Sequence, residues 1–280
     1  MGFRRGLAEQ INRYLTHELP STRAPLCDFE KLRFEIRQAD VLLVEGRTRV
    51  SEVIKLITQS PWTHSALYIG RLSEIDDPLL REEVRAHHLG PPEEQLVVEA
   101  LIGRGTVVTP LESYRGEHIR ICRPRGLSRP DAQTVISQVA AYLGMGYDLR
   151  QLLDLARFLF PWAVMPRRWR SSLFEHNVGE TTRTVCSTLL VDAFSAVNFP
   201  VLPVVRPDAE GRFRLYARNS RLFTPRDFDY SPYFDIIKYP FVAFEEGELY
   251  RRLPWEHGIV FNDERDLLPK PRATANTRNA

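Results

Sequence analysis

Five short apolar segments in the first half of the chain constrain its fold more than any other sequence feature. Each segment is shorter than an ordinary helix and stops at glycine, proline or a run of polar residues, which is typical of strands. The segments are ADVLLVEG (39–46), HSALYIG (64–70), LVVEALIG (96–103), TVVTPL (106–111) and HIRICRP (118–124). The turn GRG (103–105) predicts that the third and fourth segments form a hairpin. We therefore expect a sheet with antiparallel strands.

Helical patterns alternate with these strands. Residues 50–58 repeat apolar side chains at helical spacing. Residues 128–144 follow the same pattern and begin at Ser128, a residue type that caps helix N-termini. A third helix is predicted over 184–197, is apolar on most sides and opens near Cys186. The order of strand, helix, several strands and two helices predicts an α+β fold.

Composition and pattern divide the chain into four parts. Residues 71–95 are charged and rich in proline, and we expect them to form a surface insertion. The last residues are polar, which is typical of a disordered tail. The predicted parts are an N-terminal helix and linker (1–37), a main domain (38–200) with an apolar and basic insertion at 148–175, a C-terminal extension that packs on the domain (201–265) and a disordered tail (266–280).

Charge and composition exclude several function classes. The formal net charge of +2 over 280 residues is far below that of a general polyanion binder, so we expect no nucleic-acid partner. No apolar stretch reaches the length of about 20 residues that a membrane-spanning helix needs. The N-terminus lacks the apolar core of a signal peptide, and three cysteines suit free thiols, so we expect a cytoplasmic location.

Cys186, His64 and Glu99 form the candidate catalytic set. A cysteine attacks a carbonyl carbon as the thiolate, so it needs a nearby imidazolium or a helix N-terminus to lower its pKa. Cys186 lies at the predicted start of a helix, where unpaired N–H groups favour an anion. His64 begins one predicted strand and Glu99 lies in another, so neighbouring strands would bring an imidazole and a carboxylate together.

Structural roles are the alternatives for these residues. A cysteine at the apolar start of a helix is often a small buried side chain, and a single histidine before a strand is often structural. Glu99 lies among apolar residues, where a buried carboxylate needs a partner, but a half-exposed strand would leave it in water. His176, ten residues before Cys186, is the rival base. Adjacent His87 and His88 lack metal-site spacing, and we expect them at the surface.

The local sequences around the candidate residues, taken in order, resemble a known family. They are DVLLVEG, SPWTHSALYIG, VVEA, YLGMGYD and VCSTLLVDAF, and they span residues 38–200. This succession resembles the circularly permuted NlpC/P60 papain-like cysteine hydrolases of the YiiX/YebB-like type. The resemblance implies that His64 and Glu99 precede the nucleophile Cys186 in the chain. It also implies that Tyr147 helps to shape the substrate or oxyanion site.

The same resemblance implies a permuted papain-like fold with a central antiparallel sheet packed on helices. The implied activity is that of a cysteine peptidase or amidase that hydrolyses an amide bond, in a peptide or a peptidoglycan-like fragment, through a thioester intermediate. No metal and no organic cofactor is expected, and the oligomeric state stays open. One alternative is a lipid acyl hydrolase or acyltransferase that contacts a membrane through the aromatic and basic residues 152–170. The other is a non-catalytic binding module with a decayed site.

Overall fold

An antiparallel sheet of six strands forms the centre of the structure. The structure is a computed structural model, and it describes Tyr14, His17 and residues 25–145 and 186–240. Its strands are β1 (Val41–Glu45), β2 (His64–Gly70), β3 (Leu96–Leu101), β4 (Gly105–Pro110), β5 (His118–Pro124), β6 (Val204–Pro207), β7 (Phe213–Tyr216) and β8 (Phe234–Ile237). The main sheet has the order β4-β3-β2-β1-β5-β8, and β6 pairs with β7 in a separate two-stranded sheet. All five predicted strands are confirmed.

Six α-helices and three short 3-10 helices accompany the strands in the described residues. The α-helices are α1 (Phe29–Glu35), α2 (Arg49–Thr58), α3 (Pro78–Ala86), α4 (Arg129–Ala140), α5 (Cys186–Ala196) and α6 (Pro225–Tyr230). The 3-10 helices are Leu72–Glu74, Leu111–Tyr114 and Ser220–Leu222. The three predicted helices are present as α2, α4 and α5. The α+β prediction with a central antiparallel sheet is therefore confirmed.

Side-chain caps explain where two of the predicted helices begin. The Thr48 side chain accepts a hydrogen bond from the Ser51 N–H at the start of α2. The Ser128 side chain does the same for the Asp131 N–H at the start of α4. Such caps satisfy N–H groups that have no partner within the helix. Helix starts are thus encoded locally, which is why the sequence predicts them well.

Both faces of the main sheet are covered, so its central strand is buried on two sides. Alternate residues of a strand point to opposite faces. Val41 and Leu43 of β1 join the core formed with α3, α4, α5 and α6. Leu42 and Val44 join a smaller core formed with α1 and with the 3-10 helix before β5. This two-sided burial accounts for the continuous apolar run in β1.

The predicted surface insertion at 71–95 is partly wrong. It contains α3, whose Leu80 and Val84 are buried in the larger core. Only these two positions of the nine-residue helix are buried, one turn apart, and charged residues surround them in the sequence. The apolar stripe is therefore too narrow to stand out in a charged segment. The same segment holds His88, which is buried and not at the surface as predicted, whereas His87 is exposed.

Several predictions fall outside the described residues. They concern Tyr147, His176, the insertion at 148–175 with its proposed membrane contact at 152–170, the disordered tail and most of the N-terminal helix. Within 25–145 and 186–240, no helix is both long enough and apolar enough to cross a membrane.

Candidate active site

His64 and Glu99 meet because they lie on neighbouring strands of the main sheet. His64 is the first residue of β2, and Glu99 lies within β3, which pairs with β2 in antiparallel orientation. The His64 Nε2 atom lies 2.6 Å from the Glu99 Oε2 atom, a short charge-assisted hydrogen bond. The imidazole ring is therefore held by a carboxylate, and its other nitrogen, Nδ1, is left to face a different partner.

The Glu99 carboxylate is buried, with 3% of the residue exposed, and hydrogen-bond donors contact it. The Tyr114 hydroxyl donates to Oε2 at 2.6 Å, the same oxygen that contacts His64. Burial by itself would raise the pKa of Glu99, but the His64 hydrogen bond and charge, with the hydroxyls of Thr109 and Tyr114, bring the pKa below its usual value. Glu99 is thus ionised although it lies in the protein interior.

Cys186 is brought to the histidine by the packing of a helix against the sheet. It is the first residue of α5, which packs against β2 and β3. Burial would raise the pKa of the Cys186 thiol, but the charge and hydrogen bond of His64 outweigh it and lower the pKa. The backbone and hydroxyl of the neighbouring Ser65 lower the pKa further. The thiol is thus poised to ionise more readily than a free cysteine.

The same contacts act on the imidazole in the opposite sense. Burial would lower the pKa of His64, but the Cys186 charge and hydrogen bond, together with Glu99, raise it to about 10. Lowering one pKa and raising the other favours a thiolate–imidazolium pair at neutral pH. The His64 side chain keeps 19% of its surface exposed, so the pair borders solvent through its histidine.

Two residues of this arrangement were missed in the sequence. Ser65 is fully buried, its hydroxyl makes no full hydrogen bond among the described residues, and it lowers the pKa of the nearby Cys186 thiol. A polar residue inside the apolar run HSALYIG was a usable signal for Ser65. No feature of the local sequence marks Tyr114. It lies in a short 3-10 helix, and folding of the chain brings it close to Glu99.

The other cysteines and histidines of the described residues are not part of the arrangement. Cys27 accepts a hydrogen bond from the Ile119 N–H, and burial raises its pKa. Burial also raises the pKa of Cys122, well above its usual value. His118 stacks on Trp62 with 5.5 Å between ring centroids, and burial lowers its pKa. Cys186 is therefore the one described thiol whose surroundings favour the anion.

Part of the chain matches a known protein family. Residues 35–157 match the model of the Peptidase_C92 family, described as permuted papain-like amidase enzyme, YaeF/YiiX, C92 family. The match includes His64 and Glu99 and ends before Cys186. The predicted resemblance to permuted papain-like proteins of the YiiX type is confirmed, although the matching family is C92 and not NlpC/P60 itself. No curated protein matches the sequence.

This chain is also similar to solved structures. One of them is the crystal structure of metalloprotein yiiX from Escherichia coli O157:H7, with 16% sequence identity and a TM-score of 0.43. The similarity covers 73% of this chain and 98% of the other. In the present chain, the described residues contain no cluster of three or more His, Cys, Asp or Glu side chains that could hold a metal ion.

Proposed function

We propose that this chain, which carries a circularly permuted papain-like domain, is a cysteine amidase. Its substrate is an amide of a peptide or of a peptidoglycan-like fragment. The observation that carries the proposal is the continuous set of contacts from Tyr114 through Glu99 and His64 to Cys186, with a lowered thiol pKa at its end. A structural cysteine has no need of such a set, and burial alone would have made the thiol inert.

The geometry supports a two-step hydrolysis. The Cys186 thiolate attacks the amide carbonyl carbon, and the resulting oxyanion is stabilised by backbone N–H groups at the start of α5, including that of Cys186. Tyr147, outside the described residues, is proposed to assist there. The His64 imidazolium then protonates the leaving nitrogen, the C–N bond breaks, and a thioester remains on Cys186.

Water completes the reaction. His64, now neutral, accepts a proton from the water molecule that attacks the thioester carbonyl. Collapse of the second tetrahedral intermediate releases the carboxylic acid and restores the thiolate–imidazolium pair. Glu99 keeps the imidazole ring oriented and stabilises its charged form throughout both steps.

The raised pKa of His64 favours an amide as the substrate. An amide leaves only after its nitrogen is protonated, so a histidine that holds its proton at neutral pH is suited to this step. The alternative of lipid acyl transfer rests on residues 152–170, outside the described residues. The two experiments below distinguish the amidase from that alternative and from a non-catalytic binding module.

The first test is alkylation of the three cysteines by iodoacetamide at neutral pH, followed residue by residue with mass spectrometry. Each unit by which a thiol pKa falls raises the thiolate fraction about tenfold, so we expect Cys186 to react at least about tenfold faster than Cys27 or Cys122. His64→Ala should abolish this difference. His118→Ala is the matched control and should preserve it, because His118 lies on β5 and stacks on Trp62. Equal rates for all three cysteines would identify a non-catalytic module.

The second test is turnover of peptide amides, peptidoglycan fragments and acyl-ester lipids in parallel, with products identified by mass spectrometry. We expect amide cleavage in which Cys186→Ala and His64→Ala abolish turnover and Glu99→Gln leaves a residual rate. Release of fatty acid without amide cleavage would favour the lipid acyl hydrolase. Full activity of His64→Ala with loss of activity in His176→Ala would move the base to His176.

A further inference from the structure

The hairpin of β6 and β7 lies apart from the main sheet, and all eight of its strand residues are exposed. An isolated two-stranded sheet is marginally stable in water, because neither face is covered by other side chains. Exposed apolar surface of this kind is typical of an interaction site. Among the residues that the structure describes, no surface covers the hairpin and accounts for its composition.

The register of the hairpin sorts its side chains onto two different faces. Val205 pairs with Leu215 and Pro207 pairs with Phe213, so these four residues share one face, which we call the apolar hairpin face. Phe213 is 79% exposed, and Val205 and Leu215 are each more than half exposed. No polar side chain interrupts this face.

The opposite face carries an arginine pair next to Val204 and Tyr216. Arg206 and Arg214 are direct cross-strand partners in the register. Like charges at directly opposed positions destabilise a sheet unless an anion lies between or above them. The Arg214 Nε atom donates to the Asp208 Oδ2 atom at 2.8 Å, whereas Arg206 has no hydrogen bond or ion pair with any residue that the structure describes.

The segment around the hairpin carries a net positive charge. Residues 204–218 contain four arginines and two carboxylates. Arg212 is paired with Asp208 and Glu210 near the turn, so both carboxylates of the hairpin are already engaged. The unmatched positive charge lies on the arginine face, directly behind the apolar hairpin face.

We propose that the β6–β7 hairpin docks on an anionic phospholipid surface. A membrane interface places an apolar layer and a layer of phosphates at adjacent depths, so an element lying in it can bury one face and pair arginines on the other. A protein that covered only the apolar hairpin face would leave Arg206 unmatched, because Arg214 already pairs with Asp208. The proposal does not depend on the amidase activity, since it rests on the exposed side chains of the hairpin alone.

The test is co-sedimentation of the full chain with vesicles of phosphatidylcholine, with and without phosphatidylserine. We expect binding to the phosphatidylserine vesicles that weakens with added salt. Phe213→Ala should weaken binding about tenfold, because a large apolar side chain no longer enters the interface. Arg206→Gln should weaken it about fivefold, as expected for loss of one basic residue near an anionic surface.

Two exposed residues elsewhere provide matched controls. Phe34 on α1 is 89% exposed, and Arg125 after β5 is an exposed arginine paired with Asp235. Phe34→Ala and Arg125→Gln should leave vesicle binding unchanged. All four substitutions are at exposed positions, so circular dichroism should show the same fold in each variant.

Three results would overturn the proposal. The first is the absence of binding to either vesicle type, which would assign the hairpin to a protein partner. The second is equal weakening by Phe34→Ala and Phe213→Ala, which would indicate a non-specific apolar effect. The third is binding that survives Phe213→Ala but is lost in Trp162→Ala or Trp169→Ala, which would move the membrane contact to residues 152–170.

Discussion

At the scale of single residues, the Glu99 Oε2 atom accepts hydrogen bonds from two side chains, His64 and Tyr114, each at 2.6 Å. Tyr114 therefore affects the pKa of the Cys186 thiol indirectly, through Glu99 and then through His64. Its own pKa is raised well above the usual value, first by burial and then by the neighbouring Glu99 charge. The phenol thus stays protonated and remains a donor at any pH at which the protein works.

Tyr114→Phe removes this donor while keeping the ring. The pKa of Glu99 should rise, its hold on the imidazolium should weaken, and the thiol pKa of Cys186 should rise in turn. Hydrogen bonds to charged groups contribute about 1.5–3 kcal/mol, so we expect alkylation of Cys186 at neutral pH to slow about tenfold. The rates of variant and parent should converge at alkaline pH, where the thiol ionises without help.

The matched control for this prediction is Tyr68→Phe. Tyr68 is also buried, lies on β2 and has its hydroxyl bonded to Gln95, away from the candidate site. Its loss should leave the pH profile of Cys186 alkylation unchanged. Equal slowing in both variants would mean that Tyr114 acts through general packing and not through Glu99.

At the scale of secondary-structure elements, Arg123 ties a helix to the sheet. It extends from β5 to the Asp40 carboxylate, which is 1% exposed, and to Glu35 at the end of α1. Burial raises the pKa of Asp40 even though Arg123 favours its charged form. The pair is therefore costly to break, because removal of either partner leaves a buried charge without compensation.

We expect Arg123→Met to lower the free energy of unfolding by about 3 kcal/mol, measured by urea denaturation at neutral pH. Arg125→Met, two residues along the chain, is the matched control. Its ion pair with Asp235 is exposed on both sides, so the loss should stay below about 1 kcal/mol. Similar losses in the two variants would show that Asp40 finds another partner.

At the scale of the whole molecule, residues 186–240 pack into the same core as Val41 and Leu43 of β1, which lie more than a hundred residues earlier in the chain. The helix α5 supplies Phe194, and strand β8 supplies Phe234, which packs against Phe194, Phe199 and Phe228 with ring centroids 5.5–5.6 Å apart. The helix that begins with Cys186, besides packing against β2 and β3, thereby also contacts the edge strand β8. The position of the thiol depends on this aromatic cluster as well as on its immediate neighbours.

Phe234→Ala should therefore cost about 3–5 kcal/mol of the free energy of unfolding, the usual loss when a buried phenylalanine is truncated. Tyr230→Ala, on the neighbouring helix α6, is the control, since Tyr230 is 73% exposed and its loss should fall within about 0.5 kcal/mol. The measurement is again urea denaturation. A small effect of Phe234→Ala would show that the cluster closes around the cavity.

Local patterns predicted most of the elements, and the failures have physical causes. The strands β1 to β5 and the helices α2, α4 and α5 carry regular apolar spacing or a capping residue within a few positions. The helix α3 has two buried residues among charged neighbours, and β8 has four residues, so neither shows a period long enough to detect. The pairing of β8 with β5 depends on an edge that exists only after the sheet forms.

Residue type and apolar context in the sequence single out Cys186, His64 and Glu99 as candidates for a thiol-based site. The contacts between particular atoms follow from folding: Nε2 of His64 with Oε2 of Glu99, and the hydroxyl of Tyr114 with that same oxygen. Local sequence patterns do not extend far enough along the chain to predict these contacts. Periodicity and capping act over a few residues, whereas a pKa depends on charges and donors brought within a few ångströms from distant parts of the chain.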